Sequence, residues 1–356
     1  MSTNKKDKEL IYNSKEAWIA LDNFIKKSNP SNLFILTDKN TRKHCIPYFL
    51  EKAIFEFTPY IITIPAGEKY KNISTCVDVW NTLSENGADR NSLIINLGGG
   101  VVTDLGGFVA STYNRGVNFI NIPTSLLAIV DASVGGKNGI DLGHLKNQIG
   151  VINSPEMVII DTAFLKTLPS EHLTSGIAEM LKHGVIHSKA YWNEVKIINV
   201  YNKDEFEKLI WGSINIKKEV VSKDPFEKDL RKTLNYGHTL GHAIESYFLE
   251  SSEKKTLLHG EAIAIGIILA TYISSETHNF SKNTLEEVSK SILNYFSKVE
   301  FTNMDIENII KLLVFDKKNR NGKVLFVLLE DIGAYQTNCT VNNELIYKAF
   351  EYYKNL

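Results

Sequence analysis

Short apolar runs alternate with amphipathic stretches along the first half of the chain. Five of the runs have the length and residue types of buried β-strands: Leu33–Leu36, Ile61–Ile64, Ser92–Leu97, Phe119–Ile122 and Met157–Ile160. The stretches Lys71–Glu85 and Val101–Thr112, which lie between them, have the helical period. This alternation predicts a mostly parallel sheet covered by helices on both faces, with ligands bound at the carboxyl ends of the strands.

The pattern changes after Pro169, where long amphipathic stretches replace the alternation. Five of them are predicted to be helices: Ser175–His187, Lys203–Val221, Leu230–Phe248, His259–Ser275 and Asn283–Phe296. A strand at Val324–Leu329 and a helix at Asn343–Tyr353 follow. We therefore expect two domains, residues 1–168 of α/β type and residues 169–356 of helical type.

Composition and charge narrow the possible partners. A chain of 356 residues is longer than one hydrophobic core usually supports, which agrees with two domains. The 40 Lys and Arg residues are balanced by 41 Asp and Glu residues, giving a net charge of -1. No broad basic surface is available for nucleic acid or an anionic membrane. Any anionic ligand must therefore meet a local cluster of cations.

Cysteine usage and hydropathy predict a cytoplasmic protein. The three cysteines are far apart and have no CxxC spacing, which favours a reducing compartment. The first nine residues are polar and rich in lysine, unlike a signal peptide. The longest nearly apolar run, Ala262–Ile273, is too short to span a bilayer, which takes about 20 residues.

A glycine-rich turn follows the predicted strand that ends at Leu97. Gly98–Gly100 open a helical run that also contains Asp104, Gly106 and Gly107. Glycines between a strand and a helix allow backbone amides to approach a pyrophosphate at the helix N-terminus. The spacing is not that of the GxGxxG fingerprint, and a tight turn needed only for packing explains the glycines equally well.

Polar side chains after three other strands favour a bound nucleotide. Glu68, in the segment Pro65–Lys71, and Asp38 offer carboxylates suited to ribose hydroxyls. Thr124 and Ser125 offer hydroxyls at a helix start. The next loop, from Asp131 through Lys137 to Asn147, combines glycine, lysine and asparagine and predicts a second contact with an anion.

Histidines and a carboxylate in the helical half predict a metal site. His238 and His242 lie one helical turn apart, and His259 begins the next predicted helix. Glu179 offers a carboxylate from another helix, and two imidazoles with one carboxylate are a common set for catalytic Zn²⁺. An alternative set, Glu179 with His183 and His187, lies along one helix, where two turns span about 11 Å and one ion cannot be shared. Spacing alone does not decide which of His238, His242 and His259 are the histidine ligands.

Taken together, these residues resemble the 3-dehydroquinate synthase family. The motifs that carry the resemblance occur in the family's order: Gly98–Asp104, Tyr113–Gly116, Pro123–Leu127, Val130–Lys137, Gly176–Lys182, Leu234–His242 and Leu258–Glu261. The resemblance extends from about Asp38 to Lys318. It implies a Rossmann-like α/β NAD-binding domain followed by an all-α domain, with the active site in the cleft between them.

The resemblance also implies roles for individual residues. Glu179, His238 and His259 match the ligands of Zn²⁺ or Co²⁺, and His242 matches a residue that binds substrate and relays protons. Positions that match NAD contacts are Asp38, Glu68, Lys71, Gly99, Gly100, Asp104, Thr124, Ser125, Lys137, Lys146, Phe164 and Thr167. Positions that match the substrate site are Asp131, Lys137, Asn147, Lys182, Lys217, Arg231 and Asn235, together with Lys317 or Lys318. Arg115 matches an arginine that reaches a neighbouring subunit, which implies a homodimer.

The chain departs from the family pattern at three positions. The family commonly has Leu-Pro-x-Arg-Glu where this chain has His172 after Glu171, so no cofactor role is assigned there. His183 replaces a common tyrosine and is expected to be structural. Ser125 replaces a common threonine and retains a hydroxyl.

The implied reaction converts the sugar phosphate 3-deoxy-D-arabino-heptulosonate 7-phosphate to 3-dehydroquinate and phosphate. In that reaction NAD transiently oxidises a hydroxyl, phosphate is eliminated, the hydride returns, and the ring closes as an aldol. Lys217 and Arg231 are expected to hold the carboxylate, while Lys137, Asn147, Asn235 and Arg115 hold the phosphate. The alternatives are a metal-dependent polyol or glycerol-type dehydrogenase, another sugar phosphate cyclase, and a catalytically silent NAD-binding protein.

Overall fold

The computed structural model describes residues 10–55, 58–143, 145–313 and 324–356. Its contacts divide the chain into two compact units, Met1–Leu173 and Thr174–Leu356. The sequence predicts a boundary at 168/169, five residues before the boundary at 173/174 that the contacts give. The helix Ser170–His187 begins between these two positions. Within the described ranges, no helix combines the length and the apolar character needed to cross a bilayer.

The first unit contains eight strands and five α-helices among its described residues. The strands are β1 (Ile11–Asn13), β2 (Leu33–Asp38), β3 (Tyr60–Ile64), β4 (Leu93–Gly98), β5 (Asn118–Pro123), β6 (Lys137–Leu142), β7 (Leu145–Ile152) and β8 (Met157–Ile160). The helices are α1 (Ser14–Ser28), α2 (Lys39–His44), α3 (Ile46–Lys52), α4 (Ile73–Glu85) and α5 (Gly100–Thr112). Six of the strands form a sheet in the order β1-β8-β5-β4-β2-β3, and every pairing in it is parallel.

Alternate side chains of the strands enter two different cores, one on each face of the sheet. Leu33 and Ile35 of β2 pack with residues of α1 and α3, whereas Phe34 and Leu36 pack with residues of α4 and α5. Burial on both faces is the reason why these strands are continuous apolar runs in the sequence. The sheet predicted from that pattern is confirmed.

The strand order places the ends of β2 and β4 at a topological switch point. The chain passes from β2 outward to β3 and then returns to β4 on the other side of β2. Crevices at the carboxyl ends of such neighbouring strands are where open α/β sheets bind ligands. Asp38 ends β2 and Gly98 ends β4, so both predicted nucleotide segments begin at this crevice.

The segment predicted as a lysine-rich loop is in part an antiparallel hairpin. β6 and β7 pair with each other, and Gly139 lies opposite Gly150. A Cβ atom on Gly150 would lie 2.5 Å from the Asn138 carbonyl oxygen, so the two strands approach too closely for any larger residue. Glycine therefore permits a strand pair here, although it suggests a loop in the sequence.

In the described part of the second unit, helices predominate and two strands form a hairpin. Its helices are α6 (Ser170–His187), α7 (Lys189–Val195), α8 (Lys203–Lys223), α9 (His238–Glu250), α10 (His259–Thr277), α11 (Lys282–Leu293), α12 (Asn303–Leu312) and α13 (Asn343–Lys354). The hairpin consists of β9 (Leu325–Asp331) and β10 (Ala334–Thr340). The sequence predicted β9 but not β10, whose residues alternate between intermediate and exposed positions.

The predicted helix Leu230–Phe248 is interrupted in the structure. Leu230–Asn235 form a 3₁₀ turn, and Gly237 at φ 76° separates that turn from α9. A side chain at Gly237 would also collide with Ile267 of α10. The break therefore lets α9 begin at His238 while lying directly against α10.

Candidate active site

Two turns at the carboxyl edge of the sheet are in direct contact. The amide of Thr124, after β5, donates to the carbonyl of Gly98 at the end of β4 over 3.0 Å. A Cβ atom on Gly99 would lie 3.2 Å from Ser125 Oγ. Gly99 is the N-cap of α5 and has no side chain that could accept from the first amides of the helix, which suits an anion at this end of α5.

Asp38 is fixed by the helix that follows it. Its Oδ1 accepts hydrogen bonds from the amides of Asn40 and Thr41, both over 2.8 Å. In return Thr41 Oγ1 accepts from the Asp38 amide over 2.9 Å, which completes a capping box. Oδ1 is therefore occupied by the helix, and Oδ2 is the oxygen to consider for a ribose hydroxyl.

Lys71 is the buried cation of the first unit's polar cluster. Its Nζ donates to Asp104 Oδ2 and to Asn147 Oδ1, each over 2.6 Å. Burial lowers the pKa of Lys71, but the Asp104 and Glu68 carboxylates outweigh it and raise that pKa above its usual range. The ammonium therefore stays charged at every physiological pH and holds α5 and β7 to the segment before α4.

A second lysine joins the hairpin to the same segment. Lys146 Nζ donates to Glu68 Oε1 over 2.6 Å and lies 3.8 Å from Asp141 Oδ2. Asp141 Oδ1 in turn accepts the amide of Asn147, which has φ 51°. Burial and the Glu68 charge raise the pKa of Asp141 in spite of the nearby lysines. Glu68, Lys71, Asp104, Lys146 and Asn147 are thus brought together, with Asp141 as a member that the sequence did not single out.

The other predicted residues of the first unit are more dispersed. Phe164 is buried in the core, and the centroid of its ring lies 5.1 Å from that of Tyr48. Because the side chain is packed in the core, its backbone is the part that could contact a cofactor. Thr167 and Lys137 are exposed, and Asp131 lies in the short turn Ala128–Ala132. Arg115 is exposed at φ 69°, directly after Asn114 at φ 49°. Arg115 is thus presented outward by two consecutive left-handed residues.

Glu179 is the central carboxylate of the second unit's site. It is fully buried in α6, and its Oε2 contacts the ammonium of Lys182, which is also buried. Its Oε1 accepts no hydrogen bond from any residue in the described ranges. Two imidazole nitrogens face this oxygen instead: His238 Nε2 at 3.3 Å and His259 Nε2 at 3.7 Å.

The two facing histidines have partners at their other ring nitrogens. His238 Nδ1 lies 3.1 Å from the Tyr236 carbonyl, and His259 Nδ1 lies 3.0 Å from Glu245 Oε2. One oxygen and two Nε2 atoms therefore face one another in a buried site. A divalent cation with two histidines and one carboxylate as protein ligands fits this donor set, and open positions remain for substrate.

Backbone contacts between helices bring these residues together. A Cβ atom on Gly260 would overlap the backbone of Ser175, so the first turn of α10 lies directly on α6. The Gly260 amide also donates to Ser175 Oγ over 2.9 Å. Similarly, Gly266 of α10 leaves no room for a side chain against Gly237 and Gly241. Glycine at these positions allows α6, α9 and α10 to approach closely enough for Glu179, His238 and His259 to meet.

His242 lies beside these residues, and distance alone does not exclude it as a metal ligand. Its ring centroid is 5.1 Å from that of His238 and 5.7 Å from that of His259. Each of the three histidines offers a ring nitrogen within 4.8 Å of the other two, so an all-histidine set is also geometrically possible. The alternative with His187 is not assembled, because His187 lies at the exposed end of α6, 3.6 Å from Glu219. His183 is buried, with its Nδ1 2.6 Å from Ser213 Oγ.

The ionisation states of Glu179 and His238 suit cation binding, whereas His259 must release a proton before its Nε2 can bind a cation. Burial by itself raises the pKa of Glu179, but the Lys182 ammonium and His238 hold that pKa well below its usual range. Burial and the Lys182 charge lower the pKa of His238 in spite of Glu179. Burial opposes protonation of His259 as well, but the Glu245 and Glu179 carboxylates raise its pKa to about 10. An ionised Glu179 and a neutral His238 are therefore present at neutral pH.

Three further cations of the second unit are buried. Lys182, Lys217 and Arg231 are at most 6% exposed. Arg231 Nη1 donates to the Pro225 carbonyl over 2.8 Å. Asp224 holds the turn that carries Arg231 by accepting the amides of Lys228, Asp229 and Arg231. Buried cations are uncommon in proteins, and Lys182 is paired with Glu179.

Two carboxylates next to predicted residues were missed by the sequence analysis. Glu227, at φ 54°, accepts a 2.6 Å hydrogen bond from Asn235 Nδ2. Glu245 contacts His259, and its spacing of seven residues from His238 on one helix was the available signal for it. Lys317 and Lys318, which the resemblance assigns to the substrate site, lie outside the described residues.

Comparisons with known protein families match both halves of the chain. A model described as "3-dehydroquinate synthase N-terminal" matches residues 61–175, and one described as "3-dehydroquinate synthase C-terminal" matches residues 176–319. A 3-dehydroquinate synthase of Parabacteroides distasonis is 39% identical over 94% of each chain. That of Helicobacter pylori strain 26695 is 37% identical over 89% of this chain and 90% of the relative.

Solved structures of other enzymes have the same fold. The 2-epi-5-epi-valiolone synthase ValA from Streptomyces hygroscopicus, with NAD⁺ and Zn²⁺ bound, has a TM-score of 0.85 at 22% identity, covering 100% of this chain and 99% of that one. A 2-deoxy-scyllo-inosose synthase complexed with carbaglucose-6-phosphate, NAD⁺ and Co²⁺ has a TM-score of 0.79 at 24% identity, covering 96% of each. A butanol dehydrogenase from Thermotoga maritima has a TM-score of 0.66 at 12% identity, covering 96% of each. At these identities the likeness shows the fold and does not separate cyclase from dehydrogenase.

Proposed function

Because the chain belongs to the 3-dehydroquinate synthase family, a family of lyases in the shikimate pathway, we propose that it converts 3-deoxy-D-arabino-heptulosonate 7-phosphate to 3-dehydroquinate and phosphate. The observation that carries the proposal is the buried Glu179 oxygen that faces two imidazole nitrogens. Two buried cations of the same unit, Lys217 and Arg231, have the charge that suits an anionic substrate. The curated relatives support the identity of that substrate.

Glu179, His238 and His259 are the proposed ligands of Zn²⁺ or Co²⁺, the ions named with the two related cyclases. A mixed set is favoured over the three histidines because Glu179 Oε1 accepts no hydrogen bond from the described residues and faces the Nε2 atoms of both His238 and His259, whereas Oε2 is taken by the Lys182 ammonium. His242 is then left to bind substrate and to carry a proton on a ring nitrogen. Its half-buried position agrees with that role.

The cofactors supply transient hydride transfer and polarisation of substrate oxygens, and the side chains supply binding and orientation. Lys217 and Arg231 hold the substrate carboxylate, and the Asp224 turn keeps Arg231 in place. Lys182 holds Glu179 ionised through its ammonium. Asn235, which is oriented by Glu227, is a proposed phosphate contact together with Lys137 and Asn147 of the first unit. Asp131 is a further proposed substrate contact.

NAD is the proposed ligand of the first unit. The amides at the start of α5, after Gly99 and Gly100, face its pyrophosphate, and Asp38 and Glu68 accept from its ribose hydroxyls. Thr124, Ser125, Lys137, Lys146, Phe164 and Thr167 complete the proposed contacts. Lys71 and Asp104 form the ion pair that fixes the shape of this site.

A homodimer completes the proposal. Arg115 is exposed at a left-handed turn, which suits a guanidinium that extends from one copy of the chain to the phosphate site of another. The functional division at residues 168/169 is retained, with NAD bound by the first part and metal by the second.

Removal of the metal tests this function. The purified chain is treated with a chelator, dialysed, and assayed for phosphate release from the heptulosonate phosphate in the presence of NAD. We expect release to fall by about 10³-fold, because polarisation by a metal ion contributes several kcal/mol. Addition of Zn²⁺ or Co²⁺ should restore it.

The control is the same treatment followed by dialysis against Mg²⁺, which prefers oxygen ligands and should not restore activity. Full phosphate release by a chain shown to be free of metal would contradict the proposal. Steady NADH formation from a simple polyol, without phosphate release, would instead identify a dehydrogenase.

A further inference from the structure

Glu245 is a buried carboxylate that touches one proposed metal ligand. It is 7% exposed, and its Oε2 lies 3.0 Å from His259 Nδ1. His238, His242 and Glu245 are spaced i, i+4 and i+7 along α9, so all three lie on one face of that helix. That face meets α10 where Gly241 and Gly266 permit close backbone approach. Glu245 thereby reaches the first residue of α10.

The contact determines which way the His259 ring faces. An imidazole that donates from Nδ1 to a carboxylate has its lone pair on Nε2 when it is neutral. His259 Nε2 is the atom that lies 3.7 Å from Glu179 Oε1. We propose that Glu245 is a positioning residue of the metal site, which holds His259 with Nε2 directed at the ion. The inference rests on the proposed metal site and adds a residue that does not itself bind the ion.

The two proposed histidine ligands are oriented by different means. His238 Nδ1 is 3.1 Å from the backbone carbonyl of Tyr236, a neutral acceptor fixed by the turn before α9. His259 has a charged side-chain acceptor, and hydrogen bonds to ionised acceptors are about twice as strong as neutral ones. Carboxylate partners of this kind fix the ring orientation and increase the basicity of a ligand. Because only the partner of His259 is a side chain, only that contact can be removed by substitution.

Zinc affinity tests the role of Glu245. Wild-type, Glu245→Leu and Glu245→Gln chains are stripped of metal and titrated with Zn²⁺ against a chromogenic chelator. We expect Glu245→Leu to bind Zn²⁺ about 10- to 100-fold more weakly, the usual effect of losing such a partner. Glu245→Gln should lie between the two, because its amide oxygen can still accept from Nδ1 but has no charge.

Two further readouts separate positioning from a general structural role. The Kd for NAD should be similar in all three proteins, since Glu245 lies outside the proposed NAD site. Circular dichroism of the metal-free chains should show the same helix content in all three. Glu276→Gln, at the exposed far end of α10, is the matched control and should leave Zn²⁺ affinity unchanged.

Zn²⁺ affinity within about threefold of wild type in Glu245→Leu would overturn the inference, as would a loss of helix content in the metal-free variant that accounts for the weaker binding. If Glu245→Leu does not fold, Glu245→Gln decides the matter: weaker binding supports the role and unchanged binding overturns it. A wild-type chain that binds no Zn²⁺ would overturn the metal site itself, which distinguishes the failure of the proposed function from the failure of this inference.

Discussion

Replacement of His259 by alanine should remove metal binding and lower phosphate release by about 10³-fold or more. The substitution removes one of two imidazole nitrogens that face the buried Glu179 oxygen, leaving only one histidine and one carboxylate. The fold should persist, because the His259 side chain is 24% exposed and lies outside the apolar core. Metal content by elemental analysis and phosphate release with added Zn²⁺ are the measurements.

The matched control for this variant is His187→Ala. His187 lies on α6, the helix that carries Glu179, but at its exposed end beside Ser188 and Glu219. It should retain both metal and activity. A metal-free His259→Ala chain with nearly normal phosphate release would refute the ligand assignment.

Replacement of Lys71 by methionine should weaken NAD binding by about 100-fold, or about 2.7 kcal/mol. Lys71 is 4% exposed and is the cation between Asp104 and Asn147. Without it, Asp104 loses the Lys71 ammonium, and Lys146 is left beside Glu68 and Asp141, so an anionic pyrophosphate meets more negative charge than in the wild type. Calorimetric titration of NAD into the metal-loaded chain gives the Kd.

Lys69→Met is the control for the change of charge, because Lys69 is exposed and only two residues away. It should bind NAD as the wild type does, and circular dichroism should show the same helix content in both variants. An unchanged Kd in Lys71→Met would show that the Lys71 pair does not shape the NAD site.

The fold could be predicted where burial leaves a regular pattern. Strands β2, β4 and β8 are buried on both faces and are therefore mostly apolar, so their positions were predicted. The hairpin β6–β7 was missed because its glycines are needed for the close approach of the two paired strands. A local sequence pattern does not show which strand will lie opposite. The break before α9 was missed for the same reason, since Gly237 is needed for contact with Ile267 of α10.

The site could be predicted only as a set of candidates. Spacing of four residues made His238 and His242 equivalent, and their rings are indeed neighbours. What distinguishes them is the set of groups around each ring. Glu179, from another helix, faces His238 and His259, and Tyr236 and Glu245 occupy the other nitrogens of those two rings. The sequence shows which residues have side chains that can bind a metal. The orientation of each histidine ring depends on how α6, α9 and α10 pack.

NAD is expected to take part in every turnover and to be regenerated by it. The most direct measurement therefore compares the amount of phosphate released with the amount of NADH formed. The metal-loaded chain is given one equivalent of NAD and a large excess of heptulosonate phosphate, while phosphate and absorbance at the NADH band are followed together. We predict that phosphate release continues for many equivalents per NAD without accumulation of NADH. Release that stops after one equivalent, or NADH that accumulates in step with product, would contradict the account.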